Sequence, residues 1–193
     1  MGLNDAIAGV LLAGGKSTRM GTDKALLQLH GRPLISYSAD TLRQVFKTVI
    51  LAANSSGRYD FLRLQSVPDM YTDCGPLGGI HAALTYLPME KIFVLACDTP
   101  YVPSDLVRYL ISQETNASLV VPSIENRLHP LCGIYSQGCL AAITRQLESG
   151  RYRVHDLFDL LPNKAVPITP DLPFYRDDIL RNINSPEDLA DGS

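Results

Sequence analysis

Residues 9–24 read Gly-Val-Leu-Leu-Ala-Gly-Gly-Lys-Ser-Thr-Arg-Met-Gly-Thr-Asp-Lys. An apolar run over residues 6–12 predicts a buried strand that delivers the backbone to two adjacent glycines, Gly14 and Gly15. Lys16, Arg19 and Lys24 then place three positive charges within nine residues. Glycines let backbone N–H groups approach a ligand closely, and such groups bind anions. Lysine and arginine add charge and forked donors suited to phosphate oxygens. A buried strand ending in a loop of this kind is where an open α/β sheet binds nucleotides.

Two common phosphate loops do not fit. A Walker A motif would need its first glycine at residue 10, which is Val10. A dinucleotide fingerprint needs Gly-x-Gly-x-x-Gly, whereas these glycines are adjacent and the next is Gly21. The loop is a third type. The competing reading is a tight turn followed by a solvated basic face.

Outward from this stretch the chain alternates strands with helices. Strands are predicted at residues 48–53, 66–68, 91–97, 118–121, 131–135, 165–168 and 180–183, and helices from Pro33, over 78–87, from a Ser104 cap, over 137–147 and briefly over 154–161. Residues 91–97, Lys-Ile-Phe-Val-Leu-Ala-Cys, are apolar without alternation, as in a strand buried on both faces. Ser185 and Pro186 read as N-cap and first residue of a terminal helix. The pattern predicts a three-layer α/β fold, one domain over residues 1–193, with a mainly parallel sheet.

The length of 193 residues suits a full core, and 46% apolar with 19% charged residues is ordinary for a globular chain. A formal charge of −3 argues against non-specific nucleic-acid binding. No apolar run is long enough for a membrane span, and residues 1–5 lack the character of a signal peptide, so a cytoplasmic protein is expected. Cys74, Cys97, Cys132 and Cys139 contain no Cys-x-x-Cys and read as reduced thiols. A zinc site built from them with His81 or His129 is the alternative.

Asp98 stands directly after the apolar strand ending at Cys97. A carboxylate there faces the ligand crevice and can hold Mg²⁺ together with substrate phosphates. A helix cap is the competing reading. Asp69 ends another strand, ahead of Gly75-Pro76-Leu77-Gly78-Gly79. Gly78 and Gly79 are expected to present free helix N–H groups. Arg127, His129 and Pro130 precede a strand and are candidates for the pocket of a second substrate. His129 reads equally well as a structural histidine. Arg151, Tyr152 and Arg153 form a basic patch, either a solvated face or a contact for an anionic ligand.

The run Leu12, Ala13, Gly14, Gly15, Arg19, Met20, Gly21, Asp23 and Lys24 resembles the signature of the small nucleotidyltransferases, and within them the molybdenum cofactor guanylyltransferase (MobA) family. The resemblance implies a Rossmann-like nucleotidyltransferase fold. It also implies a loop, Leu12 to Gly15 with Lys24, that wraps the triphosphate of GTP. It assigns Asp98 to Mg²⁺ and Asp69 to the nucleotide. The family's asparagine after the second strand aligns with Ala52 here, with Asn54 as a substitute. A family-like ending, Asn182-Ile183-Asn184-Ser185-Pro186-Glu187-Asp188-Leu189, returns toward the site. Asn182 and Asn184 are thereby candidates for the acceptor, with a simple turn into the terminal helix as the other reading of Asn184.

The implied reaction is transfer of GMP from GTP to molybdopterin carrying molybdenum, with Lys24, Arg19 and Asp98 catalytic and Mg²⁺ as cofactor. Gly14, where cytidylyl relatives carry alanine, points to guanine. The alternatives are a cytidylyl or sugar-1-phosphate transferase of the same fold, and a GTP-binding cofactor carrier without catalysis. Transient docking to other proteins of cofactor synthesis or molybdoenzyme maturation is a further expectation.

Overall fold

A computed structural model describes residues 6–13, 23–54, 57–185 and 187–190. Strand β1 is Ile7–Leu12, buried throughout. After the turn Lys24–Leu26, the short strands β2 (Gln28–Leu29) and β3 (Arg32–Pro33) form a hairpin that leads into helix α1 (Leu34–Val45). Then follow β4 (Val49–Ala52), β5 (Gln65–Val67), α2 (Pro76–Tyr86), β6 (Lys91–Ala96) and α3 (Ser104–Ser112). The remainder is β7 (Leu119–Ile124), β8 (Arg127–Leu128), β9 (Cys132–Ser136), α4 (Leu140–Glu148), β10 (Asn163–Pro167) and α5 (Glu187–Ala190).

One eight-stranded sheet runs in the order β10-β7-β9-β6-β1-β4-β5, with β8 paired to β7. β1 is parallel to β4 on one side and to β6 on the other, β4 is parallel to β5, and β10 is parallel to β7. β9 reverses direction between β6 and β7, and the short β8 runs antiparallel to β7. The expected mainly parallel α/β sheet is therefore present, with β9 as its antiparallel insert.

Apolar side chains on the two faces of the sheet build two cores. Leu11, Phe93 and Leu95 face Leu42 of α1 and Leu106 and Leu110 of α3. Val10, Ile50, Ile92 and Val94 face Leu77, Ile80 and Leu84 of α2 and Ile143 and Leu147 of α4. β6 lies between them, with Ile92, Phe93, Val94 and Leu95 all fully buried, which explains its unbroken apolar sequence.

Four local expectations are revised. Residues 180–183 form no strand; Leu180 and Ile183 are buried, and the Ile183 N–H bonds the Asp98 carbonyl just beyond β6 at 2.8 Å. Both edges of β6 are already taken by β1 and β9, so the segment packs without entering the ladder. Ser104 is the first residue of α3 and not its cap; Pro103 holds the cap position. Pro33 likewise precedes α1 as its cap residue. Helix α2 starts at Pro76, two residues before Gly78, because Gly75 takes φ 62 and ψ −153 and Pro76 fits the first helical position.

Candidate active site

β1 has neighbours on both sides that leave the sheet at the same end, which is the topological position for a ligand crevice in an α/β fold. The chain ends of β1, β4 and β6 are locked together there. Ala13 N–H bonds Ala52 O at 3.0 Å, and Cys97 N–H bonds Leu12 O at 3.1 Å. Ser38 of α1 donates its buried hydroxyl to Ala96 O at 3.0 Å, fixing the helix against the end of β6. Leu12, Ala13, Asn54 and Asp98 consequently share one edge. Gly14, Gly15 and Arg19 lie outside the described residues.

Asp98 leaves β6 into this edge. Its Oδ1 is buried and has no hydrogen-bond partner among the described residues. Burial pushes the carboxyl above the ordinary carboxylate range, opposed by a hydrogen bond from the Asn182 side chain, by backbone donation and by the positive charge of Lys24. A buried carboxylate oxygen without a donor suits a hard cation, and Mg²⁺ is commonly held by one or two carboxylates and substrate phosphates. No group of three or more His, Cys, Asp or Glu able to hold a metal occurs among the described residues, and the zinc alternative finds no support. Cys74, Cys97, Cys132 and Cys139 are free thiols.

Lys24 approaches from the other side of the crevice and donates to Asn184 Oδ1 at 3.1 Å. The C-terminal segment thus meets both catalytic candidates, Asn182 at Asp98 and Asn184 at Lys24. Asp188 fixes this segment by accepting the N–H groups of Asn184 at 2.7 Å and Ser185 at 3.0 Å. Asn184 therefore has its backbone N–H held by Asp188 and its side chain bonded to Lys24.

Asn54 and Asp69 form a reciprocal pair. Asn54 Nδ2 donates to Asp69 Oδ2 at 2.9 Å, and Asp69 N–H donates to Asn54 Oδ1 at 2.8 Å. Ala52 is the buried last residue of β4, so Asn54 is the asparagine that reaches this edge. Burial raises the Asp69 carboxyl above its ordinary range, and the Asn54 bond opposes that rise. Gly78 and Gly79 serve this pair by lacking side chains. A Cβ on Gly78 would lie 3.0 Å from Tyr71 O and 3.3 Å from Asp69 Oδ2. One on Gly79 would lie 3.0 Å from a Leu12 methyl carbon. The expected free N–H of Gly78 is occupied, since it bonds Gly75 O at 3.2 Å.

Arg127 and His129 enter from β8 and the turn after it. Leu131 O accepts from Ala96 N–H at 2.9 Å, which brings this turn to the same sheet edge as Asp98. Arg127 is exposed; His129 is half-buried, and burial, with the positive fields of Arg127 and His155, lowers its basicity. Arg151, Tyr152 and Arg153 are exposed after α4. The neighbouring Cys74 thiol raises the Tyr152 phenol above its ordinary range, which places the patch beside the segment that leads into α2.

Two residues without a sequence signal also converge here. Arg58 and Tyr59, from the connection after β4, both bond the carboxylate of Asp23. They sit in a polar loop, in no recognisable motif, and only the folded chain brings them to the residue before Lys24.

Comparison with known proteins agrees with this fold. A Pelotomaculum thermopropionicum protein described as a probable molybdenum cofactor guanylyltransferase is 36% identical over 189 residues, covering 94% of this chain and 89% of its own length. A Desulfosudis oleivorans molybdenum cofactor guanylyltransferase is 33% identical, covering 96% of this chain and 93% of its own. The crystal structure of an Aquifex aeolicus protein superposes with a TM-score of 0.80 at 30% identity, covering 95% of this chain and 96% of that one. The MobA-like NTP transferase domain matches residues 9–165, and with the crevice assembled at the ends of β1, β4 and β6 the chain belongs to that family of nucleotidyltransferases.

Proposed function

We propose that this chain transfers GMP from GTP to the phosphate of molybdenum-bearing molybdopterin, releasing pyrophosphate. The observation that carries the reading is the meeting of Lys24, Asp98 and the Asn182–Asn184 segment at one sheet edge, beside the Asn54–Asp69 pair. The names of the relatives supply the base and the acceptor.

An acceptor phosphate oxygen attacks the α-phosphorus of GTP in line, the bond to the bridging oxygen of the β-phosphate breaks, and pyrophosphate departs with that oxygen. No covalent nucleophile is required of the protein. Its work is orientation and charge stabilisation. Lys24, aimed by Asn184, neutralises charge on the triphosphate, with Arg19 assigned the same task. Asp98, oriented by Asn182, would hold Mg²⁺ through its buried, unpartnered Oδ1. When bound there, Mg²⁺ would supply charge neutralisation to the phosphate oxygens. Asn54 and Asp69 would hold the nucleoside, and Arg127 and His129 would line the acceptor side.

The test is pyrophosphate release from the purified chain with molybdenum-bearing molybdopterin, Mg²⁺ and each ribonucleoside triphosphate in turn. Release with GTP that needs the acceptor is the expected result. Release with CTP and not GTP would contradict the base assignment, and GTP binding without release would favour a carrier.

A further inference from the structure

Asp23 holds more partners than a turn residue requires. It is the N-cap of the turn Lys24–Leu26, and its Oδ1 accepts the Ala25 N–H at 3.1 Å. Its Oδ2 accepts Arg58 Nη1 at 3.0 Å and the Tyr59 hydroxyl at 2.8 Å. Tyr59 is 4% exposed and belongs to the core under α1, so packing fixes the direction of its hydroxyl. Burial, helped by the hydrogen bond to Asp23, keeps that phenol protonated and a donor. Arg58 is exposed at the rim.

The arrangement has two consequences for the next residue. A carboxylate adjacent in sequence to a lysine is a natural partner for its ammonium, and such a pair would neutralise the charge a triphosphate needs. Here the carboxylate is occupied from three directions, and the Lys24 ammonium extends to Asn184 instead. The same clamp fixes the backbone turn from which Lys24 projects. The loop that begins with Asn54, the partner of Asp69, continues to Arg58 and Tyr59, so one connection supports both the nucleoside side and the phosphate side of the crevice.

We propose that Tyr59, assisted by Arg58, is a positioning residue that acts through Asp23 to hold Lys24 on the nucleotide triphosphate. This rests on the nucleotidyl-transfer reading above. It makes Tyr59 a contributor to nucleotide affinity without itself touching nucleotide.

The discriminating experiment is equilibrium binding of Mg²⁺ with each fluorescent ribonucleoside triphosphate to the full chain. It compares wild type, Tyr59→Phe, Lys24→Ala and the double variant, with the Tm of each. Loss of a hydrogen bond to a charged group predicts about tenfold weaker GTP binding for Tyr59→Phe. In the Lys24→Ala background the same change should weaken binding less than about twofold, because coupled residues are not additive. A packing role alone would cost the same in both backgrounds. Arg58→Gln leaves the core untouched and should weaken GTP binding about threefold at unchanged Tm. Wild-type affinity in Tyr59→Phe, or an equal loss in both backgrounds, overturns the positioning role alone. A wild-type chain that binds no ribonucleoside triphosphate overturns the nucleotidyl-transfer reading and this role with it.

Discussion

Asp98 is buried and its Oδ1 has no partner among the described residues, and that combination sets its expected behaviour. Asp98→Asn keeps the shape and the Asn182 contact while removing the charge. Transfer should fall by roughly 10²-fold or more with the Tm unchanged, as for loss of a transition-state electrostatic contact; turnover near wild type would contradict the metal assignment. A second residue-scale prediction concerns His81, buried on α2. The Thr144 hydroxyl donates to Leu140 O at 2.9 Å, so its oxygen accepts from His81 Nε2 at 3.1 Å. That leaves Nδ1 as a buried acceptor without a partner among the described residues, and burial lowers the basicity of the ring. Protonation is favoured in the unfolded chain, so stability is complete above a pH of about 6.5 and declines as pH falls below it. His129, lowered in the same direction, adds to this slope. Urea midpoints measured from pH 7.5 to 5 should decline less steeply for His81→Gln than for wild type. Asp98 was legible because it directly follows an apolar strand, Asp69 because it ends a short strand ahead of Gly75-Pro76-Leu77, and Lys24 because it belongs to the signature run around Gly14 and Gly15. Asn182 and Asn184 were legible as a pair facing the site, but their partners, Asp98 and Lys24, depend on where the C-terminal segment crosses the sheet. Tyr59 gave no signal, because its partner is 36 residues away in sequence.

Among the elements, periodicity located the central strands and the main helices because their burial is one-sided or complete. It failed over residues 180–183, where apolar Leu180 and Ile183 serve packing with no free strand edge beside them. The start of α2 was misplaced because Gly75 and Pro76, together, begin a helix that Gly-Gly composition suggested would start later. Gly78 tests the element-scale account: Gly78→Val should press on Tyr71 O and Asp69 and weaken nucleotide binding measured directly by titration. Gly133 in β9 makes the complementary point about the sheet. A Cβ there would lie 2.5 Å from Val120 O and 2.7 Å from a Val121 methyl, so Gly133→Ala should destabilise the chain by about 1–3 kcal/mol in denaturant unfolding. No change in the unfolding midpoint would mean the β7–β9 contact is looser than described.

For the molecule as a whole, the sheet places five separate segments on one edge: the end of β1, the turn at Lys24, the connection after β4, the residues after β6 and the Asn182–Asn184 stretch. The first four were legible in outline from the strand-loop-helix alternation. The fifth was recognisable from its family-like motif, while the strand expected over residues 180–183 is absent. Among the described residues no helix is long and apolar enough to cross a membrane. In GMP transfer the bond broken lies between the α-phosphorus and the oxygen that bridges it to the β-phosphate. The most direct measurement is a single-turnover reaction with GTP labelled either at the α- or at the γ-phosphorus, with molybdenum-bearing molybdopterin as acceptor. Nucleotidyl transfer places α-label in the acceptor product and γ-label in pyrophosphate. Label from the γ-phosphorus on the acceptor, or bound GTP with no label transferred from either position, would contradict it.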